Sequence, residues 1–386
     1  MALSMLPEET LAPNEAITIA SVRSHIVEGP VDPPWQLSTT LYTRVTTTFV
    51  EVTLDNGAVG WGECMVRDAP GSTRAIVDDV FAPLLVGRDA RRVQALWDEM
   101  YFLFRTRGHS RGIVLEALSG VDIAIWDALG RSFDRSICDM LMMDARPTIA
   151  CYASSIMVGD MDVTRREAER LVGEGYRAIK LKVGRGPQID AARVHLVREI
   201  TGPDRELMVD INCNYGLREA VDFMRRIGDA DVAWIEEPVM PDDLPAYRRL
   251  AEAFPSIPLA AGESEFTTAG FREFCAGPVL SVFQPDVARA GGVTGVLRIA
   301  HLANAYGIPI SPHVGACTGI CAAASIQLAA ALPNFLTYEH MYMAHGLQQL
   351  FHEPRPAPVD GVIHVPTGPG LGLEIDRDRM EGLIVG

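Results

Sequence analysis

Apolar and polar side chains alternate through residues 16–28 and again through 43–54, the period-two pattern of half-buried strands. Asp55-Asn56-Gly57 reads as a tight turn, and the segment AVGWGEC that follows reads as the partner strand. Then the period changes. Residues 73–86, 89–105 and 111–130 are predicted helices, and in the last of them Leu115, Leu118, Val121, Ile125 and Leu129 fall at helical spacing. Strands followed by helices predict an α+β unit ending near residue 145.

After Pro147 short apolar runs alternate with amphipathic helices. The strand-like runs are TIACYAS, AIKLKV, ELMVDIN, VAWIEEP, IPLAAGE, VLSVFQPD, IPISPH and FLTYEH. Repeated strand–helix units of this size predict an α/β fold: a (β/α)8-type barrel, or modified TIM barrel, over residues 146–354, with residues 1–145 as an α+β capping domain. Residues 355–386 are rich in Pro and Gly and hold one strand-like piece, GVIHV. This segment is expected to return to the capping domain.

Composition narrows the function classes. The chain has 386 residues, a net charge of −16 and 48% apolar side chains. That apolar content can offset chain entropy, so disorder is excluded as the dominant state. No basic stripe exists to neutralise phosphates, which argues against nucleic acid as a partner. No run approaches the roughly 20 apolar residues that a bilayer span needs. Acidic residues precede the first apolar run, unlike a secretory signal. The seven cysteines include no Cys-x-x-Cys pair and read as thiols in a reducing cytoplasm.

Of 34 basic side chains only two are lysines, Lys180 and Lys182, two residues apart. An ammonium can lose its proton at accessible pH, whereas a guanidinium effectively cannot. Two ammonium groups on one strand face repel, which is expected to lower the pKa of one towards neutrality. The pair therefore reads as a lysine base tuned by its neighbour.

Barrel active sites lie at the carboxyl ends of the strands. An ionisable residue ends seven of the runs: Lys182, Asp210, Glu236, Glu263, Asp286, His313 and Glu339, at steps of 23 to 28 residues. Asp210, Glu236 and Glu263 are hard oxygen ligands on consecutive strands and suit Mg²⁺, which keeps open positions for substrate oxygens. Glu237 is expected to face away from them. Lys182 and His313 are expected to flank the cation, with Asp286 orienting the His313 ring. This set predicts removal of the proton α to a substrate carboxylate to give an enediolate, with Lys180 drawing electron density from that carboxylate. Glu339, if held protonated, would donate a hydrogen bond to the same oxygen. Asn212 fits an α-hydroxyl. Residues 29–40 are the candidate specificity loop, with Trp35 either over the site mouth or serving as a packing residue. A carboxylate-binding barrel without turnover is the non-enzymatic alternative. It needs no base on either face, so the Lys182/His313 pair favours an enzyme.

The motifs Lys180-Leu181-Lys182, Asp210-Ile211-Asn212, Trp234-Ile235-Glu236-Glu237-Pro238, Gly262-Glu263, Gln284-Pro285-Asp286, Ser311-Pro312-His313 and Glu339 together resemble the enolase superfamily, within it the mandelate racemase-like subgroup. The resemblance covers nearly the whole chain. It implies bound Mg²⁺, a base at Lys182 and an opposing His313–Asp286 pair. It also implies a small carboxylate substrate and a homo-oligomer, either dimer or octamer. Subgroup members with this set are acid-sugar dehydratases, racemases or epimerases of 2-hydroxy acids, and sugar-lactone cycloisomerases. Dehydration of an acid sugar to a 2-keto-3-deoxy acid is the expected reaction.

Overall fold

Three antiparallel strands open the chain in the computed structural model, which describes residues 16–37, 40–66, 68–277, 279–352 and 356–385. They are β1 (Ile19–Gln36), β2 (Leu41–Leu54) and β3 (Val59–Cys64), in that order across the sheet. The turn at Asp55–Gly57 forms as expected, with the Gly57 amide donating to the Leu54 carbonyl. Strand β1 runs further than its alternation predicts. Residues 29–36, expected as part of a loop, continue the strand as far as the Gln36–Leu41 pair. A register shift between Pro30 and Trp35 absorbs the prolines, and β1 is an edge strand, where a missing N–H breaks no ladder. Ser38 and Thr39 of that segment lie outside the described residues.

The helix Ile113–Phe133 covers this sheet. Its predicted stripe, Leu115, Leu118, Val121, Ile125 and Leu129, is buried against Val50, Val52 and Leu54. Each such side chain contributes about 1.5–3 kcal/mol through burial.

The second sheet is a parallel ring. Its strands are β4 (Thr148–Ile156), β5 (Ala178–Lys182), β6 (Glu206–Asp210), β7 (Trp234–Glu236), β8 (Leu259–Ala261), β9 (Val282–Phe283) and β10 (Tyr338–Met341). Between β9 and β10 the seventh barrel position is reduced to bridges, Ile310 pairing with Phe283 on one side and Phe335 on the other. Pro309 and Pro312 flank that position and have no N–H to extend a ladder. Pairing of β10 with β4 closes the ring. Period two sends Tyr152, Ala178, Met208, Trp234, Ala260 and Val282 inwards, and Ile179, Leu181, Val209 and Ile235 outwards onto the helices.

Seven strand positions are followed by α-helices. After β10, among the described residues, comes the 3₁₀ turn Gly346–Leu350 instead. Strand β1 packs on that turn so closely that a Cβ on Gly29 would lie 2.8 Å from the Leu347 nitrogen. A Cβ on Gly346 would lie 2.5 Å from Pro30 Cδ. The capping strand thus fills the flank where an eighth helix would sit.

The tail touches both units. Strand β11 (Val362–His364) pairs antiparallel with β4. Further on, the Leu371 amide donates to Asp127 Oδ1 at 2.8 Å, while Asp127 Oδ2 accepts from the Trp61 amide at 2.8 Å. The Glu28 amide then donates to the Leu383 carbonyl, and the Val385 amide to that of Ile26. Among the described residues no helix is long and apolar enough to cross a membrane. All seven cysteines are free thiols.

One buried carboxylate ties the capping sheet to the barrel. Glu63, at the end of β3, is fully buried. It accepts from the Thr318 amide (3.0 Å), the Thr318 hydroxyl (2.7 Å), the Cys321 amide (3.1 Å) and the Thr47 hydroxyl (3.2 Å). It caps the helix Gly319–Ala331, which is buried along its whole length, so its first N–H groups have no access to water. Glu63→Ala should lower stability by about 2–4 kcal/mol, read as a fall in melting temperature, because it orphans these donors. Glu63→Gln, which keeps an acceptor, should recover part of the loss. A melting curve for Glu63→Ala that overlays the wild type would contradict this cap.

Candidate active site

Parallel register sets the functional side chains at one level. Lys182 pairs with Asp210, Asp210 with Glu236, and Asp286 bridges His313. Glu263 reaches the same level by a different route. Strand β8 ends at Ala261, and Gly262 turns the chain at a φ of 139°. A Cβ there would lie 2.8 Å from the Phe271 ring and 2.9 Å from the Gln284 nitrogen, so only glycine fits.

Asp210, Glu236 and Glu263 are buried, and each offers one carboxylate oxygen within 4.8 Å of the others. Glu236 accepts from Lys180 Nζ at 2.8 and 3.0 Å, from Gln284 Nε2 at 2.7 Å and from Trp234 Nε1 at 3.3 Å. Burial, together with the neighbouring Asp210 charge, pushes the Glu236 carboxyl up to about 7. Glu237 faces away, as expected, and accepts the Cys213 thiol at 3.0 Å.

The lysines occupy different depths. Lys182 Nζ is 2.6 Å from Asp210 Oδ2, and the side chain lines a cavity. Lys180 is fully buried below it, with Nζ 2.7 Å from Glu339 Oε1, 2.8 Å from Glu236 and 5.5 Å from the Tyr152 ring centre. Lys180 is not among the residues that line the cavity, and it reaches that space through the Glu236 and Glu339 carboxylates it pairs with. With no cation among the carboxylates, the balance at the lysines runs against the expected lowering. Burial and Lys180 both disfavour the Lys182 ammonium, but Asp210 outweighs them and the pKa rises. For Lys180, burial is overcome by Glu236 and Glu339, and the pKa lies well above the ordinary lysine value.

Glu339 is corrected too. Burial opposes its ionisation, yet Lys180, His313 and Lys182 hold its carboxyl down at about 2. It is an acceptor, taking the Ser154 hydroxyl at 2.6 Å and the Val314 amide at 2.8 Å.

His313 meets Asp286 Oδ2 through Nδ1 at 2.7 Å, and its Nε2 lies 3.2 Å from Glu263 Oε2. Burial lowers the imidazole pKa, but Glu263, Glu339 and Asp286 more than compensate and raise it to about 9. Asn212, at a φ of 48° that Asn tolerates, donates its backbone N–H to Asp210 Oδ1 at 2.8 Å and its side-chain Nδ2 to Oδ2 at 3.3 Å. Its Oδ1 is buried without a hydrogen-bond partner. Lys182, Asn212, Glu263, His313 and Glu339 line one cavity of about 30 Å³, with Trp35, Leu37 and Tyr42 over it from the capping domain. Ser154 also lines it and escapes a sequence search for ionisable residues, because its strand ends in a hydroxyl.

Four buried carboxylates, Asp210, Glu236, Glu263 and Glu339, face the two ammonium groups of Lys180 and Lys182. A divalent cation among the first three would close that charge deficit, and their all-oxygen donor set suits a hard ion. The fold and the site define a metal-dependent barrel enzyme of the enolase type.

Residues 20–142 match the mandelate racemase / muconate lactonizing enzyme N-terminal domain family, and residues 163–379 match the enolase C-terminal domain-like family. The chain therefore belongs to the mandelate racemase/muconate lactonizing enzyme subgroup of the enolase superfamily. It is 35% identical to a D-galactarolactone cycloisomerase from Agrobacterium fabrum, over 94% of this chain and 97% of that protein. It is 30% identical to an arabinonate dehydratase from Saccharolobus solfataricus, over 84% of this chain and 87% of that protein. Among solved structures, a racemase from Streptomyces coelicolor A3(2) with bound magnesium superimposes with a TM-score of 0.87. That structure shares 27% identity and covers 95% of this chain and 100% of its own.

Mg²⁺ at about 100 times its Kd should stabilise the protein by about 2.7 kcal/mol, seen as a raised melting temperature that EDTA reverses. In Glu263→Gln the increment should disappear. An equal increment in that variant would place the ion elsewhere.

Proposed function

We propose that this enzyme removes the α-proton of a sugar-derived carboxylic acid with the help of Mg²⁺, and that a β-oxygen then departs, so that an acid sugar becomes a 2-keto-3-deoxy acid. The observation that carries this reading is the presence of two proton-transfer groups, Lys182 and His313, on one cavity beside three clustered carboxylates.

Bound among Asp210, Glu236 and Glu263, Mg²⁺ would supply positive charge beside the substrate carboxylate and take up the Asp210 charge that now holds the Lys182 proton. Lys182 Nζ accepts the α-proton. The electron pair moves into the carboxylate as an enediolate and returns to form the Cα–Cβ double bond as the Cβ–O bond breaks. His313 Nε2 gives its proton to the departing oxygen, while Asp286 keeps the Nδ1 proton in place. Loss of water leaves an enol that becomes the 2-keto acid. Asn212 Oδ1 accepts from the α-hydroxyl. Lys180 acts as a positioning residue, neutralising Glu236 and Glu339.

A second reading is favoured by the 35% identity to a lactone cycloisomerase. There the departing β-oxygen belongs to a lactone ring, and the ring opens with no water released.

A panel of acid sugars incubated in D₂O with Mg²⁺ should show α-proton exchange, and semicarbazide should trap a 2-keto product. Lys182→Ala and His313→Asn should each lower kcat by about 10²–10⁴-fold. Neither exchange nor product from any acid would overturn the proposal.

A further inference from the structure

Two of the three clustered carboxylates are held by the barrel ladder itself. The Asp210 carbonyl accepts from the Val183 amide at 2.8 Å, and the Glu236 carbonyl accepts from the Ile211 amide at 3.0 Å. Glu263 lies off that ladder, two residues beyond the end of β8 and just after the Gly262 turn. The pairing from β7 stops at Ala260, whose carbonyl accepts from the Glu237 amide at 3.1 Å. Pro238 comes next and has no N–H to extend it. A side chain takes over where the backbone gives out: Arg289 Nη1 donates to the Glu263 carbonyl at 2.8 Å.

Arg289 is itself fixed from three directions. Its amide donates to the Asp286 carbonyl at 3.1 Å, so the turn that carries the partner of His313 also carries this guanidinium. Its Nε donates to Glu116 Oε1 at 3.0 Å, and its guanidinium lies 5.4 Å from the Phe266 ring centre. Glu116 is buried in the first turn of the helix Ile113–Phe133, which belongs to the capping domain. Both side chains of the pair are largely out of water, where charge-assisted hydrogen bonds are strong and directional.

We infer that Arg289 is a positioning residue of the metal site: it fixes the peptide behind Glu263 and ties that carboxylate, through Glu116, to the docked capping domain. Mg²⁺ tolerates little departure from its preferred geometry, so a ligand whose peptide is free to turn binds it less well. The inference rests on the metal reading of Asp210, Glu236 and Glu263 and is independent of the reaction that follows.

Removing Arg289 alone would leave Glu116 buried and unpaired, so the variant to build is Glu116→Met/Arg289→Met. Apolar side chains then replace the buried pair, and a thioether still meets Phe266. The whole chain, stripped with EDTA, is titrated with Mg²⁺ by calorimetry, and its melting temperature in EDTA reports the fold. The double variant should bind Mg²⁺ about 10–100-fold more weakly than the wild type. Glu116→Gln keeps an acceptor for Arg289 Nε and should retain most of the affinity. Glu63→Ala, which loses stability but keeps the Arg289 contacts, should bind Mg²⁺ as the wild type does. Wild-type affinity in the double variant overturns the inference and leaves the metal reading standing. Equal weakening in the double variant and in Glu63→Ala also overturns it, because lost stability alone would then account for the effect. A loss in Glu116→Gln as large as in the double variant overturns the positioning role in favour of a charge effect. No Mg²⁺ binding by the wild type overturns both the inference and the metal reading.

Discussion

Four carboxylates and two ammonium groups share one dry volume at the top of the barrel, and the surrounding structure is arranged to keep them there. Ions taken from water into such a place lose several kcal/mol each unless their partners are close and well directed. Lys180 is the centre of the solution. Its ammonium sits between Glu236 and Glu339, 3.6 Å from Asp210, with no exposure at all. A compact point charge can serve three acceptors in so small a space, whereas a planar guanidinium could not. That gives a physical reason for lysine at this position in a chain whose basic residues, Lys182 apart, are otherwise arginines.

The barrel makes this cluster affordable in conformational terms, because parallel register brings Lys182, Asp210 and Glu236 to one level without any loop having to be ordered. The two sides of the cavity then differ by origin. Strand ends supply the charged side, and the apolar cover comes largely from the first strands of the capping sheet and from methionines beside them. The charged cluster and its apolar cover come from different parts of the fold, joined at the Glu63 carboxylate.

Much of this was legible in the sequence. The spacing of strand-end residues located Asp210, Glu236, Glu263, Asp286 and His313, because a repeating β/α unit returns each strand end to the same height. The helical stripe from Leu115 to Leu129 was equally plain. What the pattern could not supply was the sum of charges at each atom. A pairwise argument lowered a lysine pKa through Lys180–Lys182 repulsion, but the surrounding carboxylates outnumber that one term. The same summation lowers the Glu339 pKa despite its burial. Backbone continuity was hidden as well. Residues 29–40 read as a loop, yet the strand continues through Gln36, because proline is tolerated at a sheet edge and the sequence does not say which strand is outermost. The run IPISPH read as a full strand, whereas Pro309 and Pro312 leave the seventh position only bridges at Ile310.

The packing of β1 on the turn at Gly346–Leu350 bears on how members of this fold can be recombined. Gly29 and Gly346 meet with no room for a side chain, and the strand occupies the berth of a missing helix. A capping domain transplanted from a relative would therefore arrive without its matching seat unless the 346–350 turn travelled with it. The working module for building chimaeras is discontinuous in the chain: the first strands together with the segment after the last barrel strand.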